Sequence, residues 1–149
     1  MKIIYRLLIL TVSLLLLQSC GKKISDTPKG CVTAFIVAVE QHDMSKAWGL
    51  LGKDAQAYYN DLGEKQRRSG KGALENEIDQ IKSFRSAQKY YSVKRDDNDP
   101  NNAILAVQGV KDFKIVTEDA DGEIKIKDAA SVKNILDVIT GEMKNTKPY

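Results

Sequence analysis

The chain has 149 residues, 42% of them hydrophobic and 29% charged, with a formal net charge of +3 at pH 7. That length suits one domain with a single core, and so balanced a charge argues against nucleic acid as a partner. No internal repeat or low-complexity stretch interrupts it.

Lys2 and Arg6 open the chain with positive charge, Leu7 to Leu17 form an apolar run, and Gln18-Ser19 lead into Cys20. This is the layout of a secretory signal, and the run is too short to span a bilayer. Leu17-Gln18-Ser19-Cys20 resembles the lipobox of bacterial lipoproteins, in which Gln18 is a less common second residue. The resemblance implies that residues 1–19 are a signal peptide and that the Cys20 sulfur is acylated. Residues 20–26 then tether the domain to a lipid bilayer. Three acyl chains bury many methylenes at about 0.8 kcal/mol each, so the anchor is effectively permanent. By resemblance to enterobacterial sorting rules, the absence of Asp after Cys20 implies an outer-membrane address in the cell envelope, facing the periplasm or the cell surface. The alternative is an ordinary signal cut nearby, which leaves Cys20 free or removes it. Without residues 1–19 the chain keeps 21 basic and 20 acidic residues, close to neutral. With Cys20 acylated, Cys31 is left without a disulfide partner and reads as a small, buried helix side chain.

Residues 27–144 read as one domain, followed by a loose tail over 145–149. Thr27 caps the first helix and Pro28 fills its first position. Val32, Phe35, Ile36 and Val39 recur at i, i+3, i+4 and i+7, which carries this helix to about Gln41. His42-Asp43-Met44-Ser45 breaks it, with Ser45 capping a short second helix that holds Ala47, Trp48, Leu50 and Leu51. Asp54 opens a third stretch, helical, with Ala55, Ala57, Tyr58 and Leu62 as its apolar set. Gly63 to Gly72 is charged and bounded by glycine, and reads as a loop or frayed helix end. Leu74, Ile78, Ile81 and Phe84 form the stripe of a fourth helix. After Ser86 the pattern alternates: Tyr91 and Val93 mark a strand, Asp96 to Asn102 a turn, and Ala103 to Val110 a central strand. Phe113 and Ile115, with Val116 opposite, make the next strand. Asp119-Ala120-Asp121-Gly122 then turns the chain into the two-faced strand Glu123 to Lys127. Asp128 caps a last helix over Val132, Ile135, Leu136, Val138 and Ile139, with Gly141 in a fraying end that Glu142-Met143-Lys144 continues. Helices, then antiparallel strands, then one closing helix define an α+β fold.

Phe35, Ala38, Asp43, Lys46, Ala47, Trp48, Leu50 and Leu51 stand in the pattern F-x-x-A-x-x-x-x-D-x-x-K-A-W-x-L-L. With the element order, this resembles the nuclear transport factor 2-like (cystatin-like) lipoproteins of bacteria over residues 27–127. The resemblance implies N-terminal helices packed on a curved antiparallel sheet, closing one side of a conical pocket. The helix over 129–143 is then an added C-terminal helix. Where that family's last strand carries a Trp, this chain has Glu123-Ile124-Lys125-Ile126. The rival is another helix-plus-meander α+β fold.

Enzymes of that fold class place His, Asp or Tyr in the pocket for proton transfer. His42 is the single histidine and sits beside Asp43, but sequence neighbours seldom face one substrate, so it reads as a surface or capping residue. Trp48, Tyr58, Tyr59, Tyr90 and Tyr91 are the candidate pocket or interaction residues, with aromatic bodies and polar tips. Their other reading is core packing, and alternation lets one of Tyr90 and Tyr91 face inward. Asp96 to Asn102 lacks the glycine and closing glutamate of a calcium loop and reads as a solvated hairpin turn. Lys65, Arg67, Arg68 and Lys71 form the densest basic run, a solvated loop or a contact for anionic head groups at about 1 kcal/mol each. No nucleophile triad, phosphate loop, zinc spacing or dinucleotide fingerprint occurs, so no catalytic residue, metal or cofactor is assigned. The expectation is an anchored envelope domain that binds a small apolar ligand or an envelope protein. The alternatives are a small pocket enzyme of the isomerase or dehydratase kind, and an accessory lipoprotein that docks by a strand edge or its terminal helix.

Overall fold

Thr27 starts the first helix as a cap, its hydroxyl oxygen accepting from the Gly30 N–H at 3.0 Å, with Pro28 in the first turn. The computed structural model describes residues 24–141, so the signal peptide, Cys20, most of the tether and the tail lie outside the described residues. After a single 3-10 turn, Ile24–Asp26, the helices are α1 (Pro28–Glu40), α2 (Met44–Gly49), α3 (Lys53–Gln66) and α4 (Gly70–Asp79). A one-turn α5 (Ala87–Tyr90) leads into β1 (Tyr91–Arg95), β2 (Asn102–Val107), β3 (Phe113–Ala120) and β4 (Glu123–Ile126). The helix α6 (Ala129–Thr140) closes the fold.

The strands form one antiparallel sheet in the order β1-β2-β3-β4. In a flat sheet its outer strands would stand about 14 Å apart. α1 nonetheless touches β1, β2 and β4, so the sheet curls round it as a half-barrel. α6 lies against β3 and α3. The expected order of helices, antiparallel sheet and closing helix is therefore the observed one. Phe35, Val32 and Val39 of α1 meet Leu105, Ile115 and Ile126 of the sheet in one core, all of them fully buried. Each such side chain contributes about 2 kcal/mol relative to exposure.

Two helix ends are Schellman motifs built without glycine. At the end of α1, His42 takes the left-handed conformation (φ 59°); its N–H donates to Val39 O and the Asp43 N–H to Ala38 O. At the end of α3, Arg67 does the same (φ 56°), with its N–H on Glu64 O and the Arg68 N–H on Gly63 O.

These ends account for several departures from the sequence reading. Asp43, not Ser45, caps α2, accepting from the Lys46 N–H at 3.0 Å. Gly63 to Gly72 is not a loop. α3 runs through Gly63 to Gln66, and after three residues Ser69 caps α4 by accepting from the Gly72 N–H. The buried stripe of α3 is Ala55, Tyr59 and Gly63, so Ala57 and Tyr58 face outward. α4 stops at Asp79, which leaves Ile81 half-buried and Phe84 exposed beyond it. β2 ends at Val107 rather than Val110. Gly141 is a left-handed stop at φ 73° rather than a frayed turn.

Gly63 is required by proximity: a Cβ there would lie 2.8 Å from the Arg68 carbonyl oxygen and from the Ser69 backbone. Gly63→Ala is expected to lower stability by about 2 kcal/mol, because backbone must move to admit it. Arg67→Gly is expected to raise stability by about 0.5–1 kcal/mol by relieving the left-handed side chain. Urea unfolding midpoints of the two variants should shift in opposite directions.

Candidate functional site

The five candidate aromatic residues fall into two groups. Tyr58 and Tyr59 follow one another on α3 with their rings edge to face, centroids 5.2 Å apart. Tyr58 is exposed and Tyr59 fully buried. The Tyr59 hydroxyl donates to Glu77 Oε2 at 2.9 Å, which ties α3 to α4. Trp48, half-buried on α2, packs toward Gly70 of α4, where a Cβ would come within 2.8 Å of its ring. Its carbonyl accepts from Gln56 Nε2 at 3.1 Å, joining α2 to α3. Tyr90 closes α5 and Tyr91 opens β1; Tyr91 is buried and Tyr90 is exposed under the Arg85 guanidinium at 4.9 Å.

Proton-transfer chemistry needs a group whose pKa lies near the working pH. Tyr59 is pushed the other way: burial raises its hydroxyl far above the ordinary tyrosine value, and the Glu77 carboxylate raises it further. It is a permanent donor that clamps two helices. Tyr91 is likewise pushed up to about 12, by burial first and by Glu40 second.

His42 does not pair with its neighbour Asp43. Its Nε2 lies 2.8 Å from Asp79 Oδ1 on α4, with both side chains more than half exposed. Such a surface pair contributes at most about 1 kcal/mol and faces no enclosed space. The Asp96 to Asn102 turn is less solvated than its composition implies. Asp96 is buried and accepts from the Asn98 and Asp99 N–H groups, at 2.9 and 3.3 Å. Asn102 Nδ2 donates to Asp99, and the Thr117 hydroxyl donates to the Asn101 carbonyl. Those carboxylates hold the β1–β2 connection in shape.

A groove of about 500 Å³ lies between α1, α2 and β4, with Ala34, Leu50 and Ile124 as its apolar floor. Ser25 borders it, so it adjoins the point where the tether meets the domain. Lys125 crosses the rim, its Nζ donating to Gly49 O at 3.0 Å and lying 3.2 Å from Glu123 Oε2. The sequence reading did not name this groove. Its residues are spread over three elements, and none breaks a periodic pattern. No protein-family model matches this chain, and no curated protein or solved structure matches it either. Among the described residues, no cluster of three or more His, Cys, Asp or Glu is arranged to hold a metal ion.

Cys31 is fully buried on α1, and burial pushes its thiol up to about 12, against small opposing effects from Lys125 and a backbone hydrogen bond at Ile126. A group whose pKa is raised on folding stabilises the fold below its unfolded value of 9.0 and loses that contribution as pH climbs toward 12. Cys31 is therefore expected to resist thiol reagents at about pH 8 in the native state and to react once the chain is unfolded in urea. Cys31→Ala should flatten part of the loss of stability above about pH 9, checked by unfolding midpoints at several alkaline pH values.

Proposed function

We propose that this chain is a lipid-anchored cell-envelope protein whose domain binds a ligand or partner and carries out no chemistry of its own. The observation that supports the reading is where its polar groups go. Every buried side-chain nitrogen and oxygen among the described residues has a hydrogen-bond partner within the protein. Asp96, Asn102, Thr117 and Ser131 serve turns, strands and a helix start; Ser131, for example, accepts from the Val116 N–H at 3.0 Å. The sheet's concave face is closed, because Ala103, Leu105, Ile115 and Ile126 are all inaccessible.

The cystatin-like, nuclear transport factor 2-like reading belongs to the same proposal. Its support is the pattern from Phe35 to Leu51, with Asp43 at the turn between α1 and α2, and the curled sheet that follows the helices. For a small apolar ligand, the groove over Ala34, Leu50 and Ile124 is the seat that fits, with a volume in the range of ligand sites. Acylated Cys20 supplies the membrane contact, and the lipobox pattern supports it.

Two measurements test this. Cys20→Ala in the full chain is expected to move the protein from the membrane fraction to the soluble fraction, and continued membrane association overturns the anchor. Native mass spectrometry of the detergent-solubilised chain after incubation with envelope extract tests the domain. A reproducible adduct of small-molecule or protein mass is the expected result. Turnover of a small molecule in that mixture, abolished by a pocket substitution, would overturn the non-catalytic reading.

A further inference from the structure

The two edges of the sheet are not alike. At β4, the Ile126 N–H donates to Leu50 O at 2.9 Å and Ile126 O accepts from the Gly52 N–H at 2.8 Å, so the α2–α3 junction covers that edge. β1 has no such cover. Its register with β2 sets Tyr91 opposite Val107 and Arg95 opposite Ala103. The ladder bonds run through the alternate positions, with the Gln108 N–H on Tyr90 O and the Asp96 N–H on Asn102 O. The N–H and C=O groups of Tyr91, Val93 and Arg95 therefore point away from β2. Among the described residues no hydrogen-bond partner meets them.

The strand and the segment leading into it are basic, while Glu40, Asp112 and the Asp96, Asp97 and Asp99 of the following turn are the acidic groups near it. From Gln80 to Arg95 the chain carries Lys82, Arg85, Lys89, Lys94 and Arg95 and no acidic residue. A cleft of about 290 Å³ lies over the β1–β2 pair, lined by Lys89, Ser92 and Lys94 together with Ala106, Gln108 and Asp112. On the inner side Glu40 of α1 lies near Tyr91.

We propose that β1 accepts a fifth strand, an extended acidic segment of a partner protein. Main-chain pairing to Tyr91, Val93 and Arg95 gives the register, and the basic flank chooses the charge of the incoming strand. A second copy of this chain would bring the same basic edge and is disfavoured by like charge. The inference rests on the reading of the domain as a binding module, and narrows the partner class for one of its surfaces.

The test uses the full chain and a synthetic peptide of about eight residues alternating Glu and Val, with a Lys-Val peptide as control. Amide exchange by NMR is expected to slow at Tyr91, Val93 and Arg95 with the acidic peptide, by about tenfold or more near saturation, and to stay unchanged with the basic one. Val93→Pro removes an N–H that makes no ladder bond, so it should weaken binding at least about tenfold with little change in the urea midpoint. The pair Lys94→Glu and Arg95→Glu should weaken binding equally while keeping every backbone group. Unchanged exchange at the three amides overturns the proposal, as does undiminished binding by Val93→Pro. Protection that grows with protein concentration alone identifies a second copy as occupant and also overturns it. Protection at Leu50 and Ile124 instead overturns the edge while leaving the binding-module reading standing. The Cys20→Ala fractionation is read separately from all of these.

Discussion

Occupation of the curl by α1 constrains everything else in this domain. A helix with its side chains is about 10 Å across, which is also the distance at which a layer packs on a sheet. Cys31, Val32, Phe35, Ala38 and Val39 are all fully buried, so the helix is wedged into the hollow rather than laid across its mouth. The space that the resemblance assigns to a conical pocket is taken up by apolar side chains of the helix and the sheet. Open surface is then confined to edges and grooves. That is why the open features lie where elements meet: the groove at α1, α2 and β4, and the bare flank of β1.

The same wedge requires one side of the curl to be closed by something other than another strand. Residues 50–52 do this by exchanging hydrogen bonds with Ile126, and the Ala55 N–H continues the contact by donating to Lys127 O at 3.0 Å. Closing β4 in this way fixes the end of the sheet next to the Ile24–Asp26 turn. β1 is fixed differently, by its partner β2 and by the buried Asp96 that ties the connection between them. Its outer side needs nothing for stability, so it is free to be used for recognition, and its lysine and arginine discourage unwanted pairing in the meantime.

Much of this could be read from residue spacing. The four apolar positions of α1, the Thr27 and Asp128 caps, the Asp121-Gly122 hairpin turn and the five apolar positions of α6 behave as their patterns say. The departures have more than one physical origin. His42 and Arg67 adopt the left-handed stop without glycine, Gly63 and Gly70 serve close packing inside helices, and Gly141, expected to fray, is itself a stop. Moving the cap from Ser45 to Asp43 follows from the first of these, because a Schellman turn at His42 places Asp43 one residue before the new helix. The buried face of α3 was misread because tyrosine suits core and surface alike. Only the α4 partner Glu77 shows that Tyr59, not Tyr58, goes inside. Neither the groove nor the bare edge has a local signature, since both arise from pairing between distant residues.

The Ile24–Asp26 turn packs against α1 and β4, so the described chain begins on the β4 side. Four residue steps separate Ile24 from Cys20, which is at most about 14 Å of chain. An acylated Cys20 would therefore hold the β4 side, with the groove over Leu50 and Ile124, close to the lipid head groups. β1 lies at the other end of the strand order, three strands away. Under the proposed anchor, the groove would face the bilayer and the basic edge would face the aqueous side.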